Sequence, residues 1–301
     1  MSFKATEAAF EGFRIARRKP LTILIWALAY AAFFVACFAI AGPMILNMMS
    51  IATALEDVAE PSLQDVMGLM QTVGALMLFI LPLSLVFSAV LNTAVARSVV
   101  RPEQSRFGYL RLGSDELRVL GVTIILGLVM MAVYVVGFSL VWAAGAAANA
   151  SGIGALWLPV VLLGIAAIGF LVWLMLRLSL AVPIVVAEQR FAPFASFSLT
   201  RGRVLPLLGM AILAGVMTLL VSLLGEAIAQ GVYLATGNVE QVVHNGDLSP
   251  EDLNATAILQ QFGLAIAAWV VLNSLLSALQ LAVLYAPYAA AYRDIKGLPH
   301  P

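Results

Sequence analysis

R-L-S-L-A-V-P-I-V-V-A-E-Q-R-F-A-P-F-A-S-F-S-L-T-R-G-R-V-L-P-L-L-G-M-A-I-L-A-G, residues 177–215, ends one apolar run, crosses a short arginine-bearing link and begins another apolar run. Looser copies lie before it, at Asn92–Gly127, and after it, at Gln280–Gly297. Working outward, the chain is 62% hydrophobic and 11% charged with a mean hydropathy of +1.02. An ordinary soluble domain carries roughly 25% charged residues. Several apolar runs exceed the length needed to cross a bilayer, so the expected fold is an all-α integral membrane protein.

Charge sorting gives the topology. Formal net charge is zero, yet all 16 lysines and arginines fall on four segments: the N-terminus, the 97–118 link, the 177–203 region and the tail. The alternate links have none and hold more than half of the acids, among them Glu56, Asp57, Glu60, Asp65, Glu240, Asp247, Glu251 and Asp252. The positive-inside rule then places both termini and both arginine-rich links in the cytoplasm, which requires an even number of spans. Six are expected, at about 21–40, 72–96, 119–143, 157–186, 204–229 and 262–290. The expected location is a bacterial inner membrane.

Local signals refine the boundaries. Residues 3–18 set Phe3, Phe10 and Phe13 against Glu7, Glu11, Arg14 and Arg18, the pattern of a helix lying in the headgroup region. Lys19-Pro20 ends it. Ala39-Ile40-Ala41 resembles a signal-peptide cleavage site, but the run before it is longer than a signal h-region, so retention is expected. Ser62 with Asp65, and Ser249-Pro250-Glu251, read as helix starts, and Asn245-Gly246 reads as a turn. The single cysteine, Cys37, sits in an apolar run, which excludes an intrachain disulfide or a cysteine metal site. The two histidines, His244 and His300, lie outside the apolar runs.

The spans pair as three helical hairpins in one domain, 1–301, each preceded by a short cytoplasmic interfacial helix. These segments carry Phe10 and Phe13, Phe107 and Leu110, and Phe194 and Phe197, followed by breaks at Lys19-Pro20, Gly113-Ser114 and Gly202. Gly121 and Gly127 recur with the same spacing as Gly209 and Gly215, and Glu103-Gln104 recurs as Glu188-Gln189. Internal repeats over about 3–98, 103–187 and 188–297 are therefore expected, with the glycines as sites of close helix approach.

Residues 187–209, A-E-Q-R-F-A-P-F-A-S-F-S-L-T-R-G-R-V-L-P-L-L-G, and the tail Ala291-Tyr292-Arg293-Asp294-Ile295-Lys296-Gly297 resemble the membrane domain attached to some glycerophosphodiester phosphodiesterases, which also occurs alone in bacterial proteins. The resemblance spans most of the chain through short, degenerate motifs. In two-domain members it implies catalysis by a separate soluble barrel with a metal site. No His/Glu cluster here could substitute for that site, so the activity is not carried over.

Polar residues inside spans default to functional hypotheses. The repeat sets Asn92, Arg177 and Gln280 at comparable depths, with Ser84, Ser88 and Asn92 on one helical face and Asn273, Ser277 and Gln280 on another. Together they suggest a polar cavity for a lipid or small anionic solute, with Arg177 as charge partner. The competing expectation has Arg177 snorkelling to the interface and the amides bonding between helices. A second polar stripe, Thr218, Ser222, Glu226 and Gln230, marks the outer part of the fifth span, where Gln260 and Gln261 could approach it. Tyr285, Tyr288 and Tyr292 read as an interfacial aromatic belt. Neither a phosphate-binding loop nor a nucleophile beside a base is found, no metal or cofactor is expected, and the dispersed arginines form no nucleic-acid patch. The sequence thus favours a non-enzymatic module that binds or moves a lipid or amphipathic solute. The alternative is a scaffold or regulator for a membrane-protein partner in envelope homeostasis.

Overall fold

The computed structural model describes residues 4–56, 63–236 and 255–299. Among these residues every regular element is helical, and six helices are long and apolar enough to cross a membrane. The chain is an all-α integral membrane protein. The readings on Phe3, Asp57, Glu60, Ser62, Glu240, His244, Asn245-Gly246, Asp247, Ser249-Pro250-Glu251, Asp252 and His300 lie outside the described residues, and the side chains of Glu56, Asp65 and Gln261 are likewise not described.

The N-terminal segment forms α1 (Ala5–Ala9) and α2 (Glu11–Arg18), and Pro20 opens α3 (Pro20–Glu56). Proline suits this first helical position, where its missing N–H is not needed. Then come α4 (Leu63–Val100), α5 (Ser114–Ser151), α6 (Trp157–Leu178), α7 (Ala181–Glu188), α8 (Ser196–Leu199), α9 (Val204–Thr236) and α10 (Ala255–Lys296). The 33 residues of α9 extend about 50 Å at 1.5 Å per residue, against a hydrocarbon core of ~30 Å. α3, α4, α5, α9 and α10 therefore outrun the apolar windows that mark them in sequence. The turn between α5 and α6 shrinks accordingly. Gly152 takes φ +67, Ser151 Oγ accepts from the Ile153 N–H at 3.2 Å, and a 3₁₀ turn at Gly154–Leu156 leads into α6.

The segment before each hairpin differs from one hairpin to the next. The first is α1 with α2. The second, Arg106–Tyr109, is a left-handed turn in place of the expected helix, because Phe107, Gly108 and Tyr109 all take positive φ. The third is the single turn of α8. Gly113 precedes α5 in extended backbone, whereas Gly202 and Gly297 take positive φ. At Gly297 the bonds Leu298 N–H to Arg293 C=O (3.0 Å) and Gly297 N–H to Asp294 C=O (3.3 Å) close α10 as a Schellman motif.

The chain divides into two compact units. The first comprises Met1–Gly12, Ala89–Gly215 and Leu284–Pro301, and contains both arginine-rich links. It is tied by buried charge. Arg97, 2% exposed, donates to Glu116 Oε1 and to the Tyr109 carbonyl, both at 2.7 Å, which holds the left-handed turn in place. Asp115 pairs with Arg118 at 2.8 Å and Arg101 at 3.5 Å, and Arg101 donates to the Ala187 carbonyl at 3.0 Å. Glu188 accepts from Arg190 at 2.6 Å, Lys296 at 3.1 Å and the Tyr292 hydroxyl at 3.3 Å. Arg293 reaches Glu11 at 3.3 Å. These ties join the exits of the second, fourth and sixth spans to one another and to α2.

The second unit comprises Phe13–Ser88 and Val216–Val283 and is held by rings and close backbone contact. Phe33 stacks on Phe87 with centroids 4.2 Å apart, Tyr30 meets Phe87 edge-on at 5.1 Å, and Trp269 lies 5.4 Å from Phe34. Gly225 backs onto Leu276 so closely that a Cβ would collide with its methyls. The expected repeat glycines behave otherwise. A Cβ at Gly121 would meet the Phe191 ring at 3.1 Å, but at Gly127, Gly209 and Gly215 it would meet open space. Three of the four therefore mark no close approach, because the faces that carry them are unopposed.

Candidate functional cavity

The fourth span is not one helix. α6 stops at Leu178 and α7 starts at Ala181, two residues before Pro183. Proline removes the N–H that would bond the Ser179 carbonyl and crowds the turn before it. Pro43, Pro82 and Pro287 are carried inside unbroken helices. At Pro183, by contrast, α8 supplies replacement partners. Ser196 Oγ accepts from the Leu180 N–H at 3.2 Å. The Thr200 hydroxyl lies 2.8 Å from the Ser196 carbonyl and 3.4 Å from the Arg177 carbonyl. Ser196 and Thr200 are fully buried, as side chains that service interrupted backbone must be. Irregular backbone at membrane depth is tolerated where it is buried in protein or lines a cavity.

A cavity of about 430 Å³ lies at this break, entirely within the first unit. Ser179 and Pro183 line it from the fourth span, Asn92 from α4, Ala211 from α9, and Tyr285 and Tyr288 from α10. The remaining wall is aliphatic apart from Met175, and no charged residue contributes to it. Such a space can hold an apolar body and offer hydrogen bonds to a small head, the usual design of a small-molecule site.

The sequence candidates fall into separate places. Asn92 lines the cavity. Arg177 is outside the wall. Its Nη1 donates to Thr200 Oγ1 at 3.3 Å, and its guanidinium carbon lies 5.2 Å from the Phe197 ring and 5.7 Å from Trp173. Gln280 belongs to the second unit, where its amide donates to Ser222 Oγ at 3.1 Å. Asn273 is also there and donates to the Trp269 carbonyl of its own helix at 3.1 Å, and Ser88 and Ser277 are half-buried in the same unit. In the second stripe, Ser222 donates to the Thr218 carbonyl at 3.0 Å, and Gln230 donates to an exposed Glu226 at 3.2 Å.

Three wall residues escape the sequence reading. Tyr285 and Tyr288 read there as belt residues, and Ser179 carries no signal by itself. A proline four residues after a serine inside a span is the mark that could have exposed the break. Among the described residues, no group of three or more His, Cys, Asp and Glu side chains is placed to hold a metal ion. No family model, no curated protein and no solved structure matches this chain.

Proposed function

We propose that this is a non-enzymatic protein of a bacterial inner membrane, with both termini cytoplasmic, that binds or moves a lipid or small amphipathic solute. The observation that carries the reading is the cavity at the broken fourth span, about 430 Å³, apolar in the main and edged by a few hydrogen-bonding residues. Its volume falls within the range of roughly 300–1,000 Å³ typical of small-molecule sites. The orientation follows from the confinement of every lysine and arginine to the termini and alternate links. The resemblance to the stand-alone membrane domain of phosphodiesterase-linked proteins is compatible with a binding role without a catalytic barrel.

The test is native mass spectrometry of protein extracted in mild detergent, wild type against Ala211→Phe, which puts a ring into the cavity. A defined species retained by wild type and lost from the variant is the expected result. Ala96→Phe, from another wall, guards against a local folding defect. Wild-type protein that retains nothing would overturn the reading in favour of a scaffold for another membrane protein.

A further inference from the structure

We infer that the occupant of this cavity is an uncharged amphipath, an acyl chain with a hydroxyl or ester head, entering sideways from the bilayer between α6 and α9. The inference rests on the cavity's being a binding site, as proposed above. The polar residues of its wall are Asn92, Ser179, Tyr285 and Tyr288, none of a type ionised at neutral pH. A phosphate or carboxylate head drawn into that wall would lose water and gain no counter-charge, an expensive exchange.

The nearby cations lie outside the wall. Arg177 donates to Thr200 and lies against the Phe197 and Trp173 rings, with its buried Nε making no hydrogen bond. Arg97 is paired with Glu116, Lys296 and Arg190 with Glu188, and Arg293 with Glu11. What the site does offer a neutral head is both donors and acceptors. Asn92 supplies an amide, and Pro183 leaves the Ser179 carbonyl without its usual helical donor, so a head hydroxyl can take that place.

The route in follows from exposure. Met175 on α6 and Ile212 on α9 line the cavity, yet are 63% and 58% exposed. The wall is therefore continuous with the surface that faces acyl chains. A lipid can slide its tail along these residues while its head moves towards Asn92, with no need to cross the charged exits of the spans.

Delipidated protein in detergent is offered equal amounts of monoolein and oleoyl lysophosphatidate, which share a tail and differ in head charge, and adducts are counted by native mass spectrometry. Monoolein adducts are expected to exceed lysophosphatidate adducts on the order of tenfold, a preference of about 1.4 kcal/mol. They should fall in Ala211→Phe and in Asn92→Leu, with unchanged thermal stability of the detergent-solubilised variants as the folding control. Equal or preferred lysophosphatidate that is still displaced by Ala211→Phe would overturn the uncharged class and leave the cavity as a site. Adducts of either lipid that ignore Ala211→Phe and Ala96→Phe alike, or no adducts at all, would overturn both readings.

Discussion

The two units of this chain solve the same problem, holding helices together in an apolar solvent, by opposite means. In the first, Arg97, Asp115, Glu116, Glu11 and Arg293 are buried and joined by ion pairs, and the broken fourth span is serviced by the hydroxyls of Ser196 and Thr200. In the second, the ties are ring contacts among Tyr30, Phe33, Phe87 and Trp269, the backbone contact of Gly225 with Leu276 and the Gln280–Ser222 bond. Each device suits its own depth in the membrane. Lipid tails are as apolar as leucine, so apolar burial alone gives helices little reason to associate within the bilayer, and packing or hydrogen bonds must supply it. Near the ends of the spans, a charge sealed off from water holds its partner strongly and penalises any loss of it.

Removing one buried charge strikes the first unit hardest. Arg97→Met leaves Glu116 buried without its closest cation and frees the Tyr109 carbonyl, so a loss of about 3–5 kcal/mol is expected. Unfolding in mixed detergent and denaturing micelles measures it. The double variant Arg97→Met, Glu116→Leu should recover much of that loss, because it removes the orphaned charge. If the single and double variants are equally damaged, the pair acts through shape rather than charge.

Next comes overpacking, which sets one unit directly against the other on a single helix. Gly225→Leu in the second unit must displace Leu276, at an expected cost of about 1–3 kcal/mol. Gly209→Leu in the first unit enters open space and should be close to neutral by the same assay. Equal costs at the two positions would mean that the Gly209 face is occupied in the membrane, as by a second copy of the chain.

These two glycines also show how far the sequence was legible. Six spans, the hairpins and the basic links were readable because length, hydropathy and charge act locally. The helix contacts were not. Gly209 carried the repeat signal and faces nothing, while Gly225 carried none and makes the tight approach, because packing depends on what the partner helix presents at that height. Likewise Asn92 was legible as a polar residue inside a span, but its neighbours were not. The wall depends on a break at Ser179–Pro183 that only α8 makes tolerable, and Arg177, set at the same depth by the repeat, turns to Thr200 and two rings instead.

The break gives a smaller effect with a local readout. Ser196→Ala strips the Leu180 N–H of its acceptor, and a loss of about 1–2 kcal/mol is expected, with faster amide exchange confined to residues about Ser179–Pro183. Ser196→Thr keeps an oxygen within reach and should restore protection. Exchange that spreads along the whole of α6 would instead mean that the two helical pieces unfold together and that the interruption is no independent element.

The smallest effect belongs to the second unit's polar tie. Gln280 and Ser222 are neutral partners on neighbouring helices, and each has other ways to satisfy itself, since Ser222 already donates to the Thr218 carbonyl of its own helix. A double-mutant cycle of Gln280→Leu and Ser222→Ala should give a coupling near 0.6 kcal/mol, the average for hydrogen bonds between membrane helices. A coupling of several kcal/mol would put this pair in the class of the Arg97–Glu116 contact and erase the distinction between the units. A coupling of zero would sharpen it, leaving the ring contacts and the Gly225–Leu276 approach to hold the second unit by shape alone.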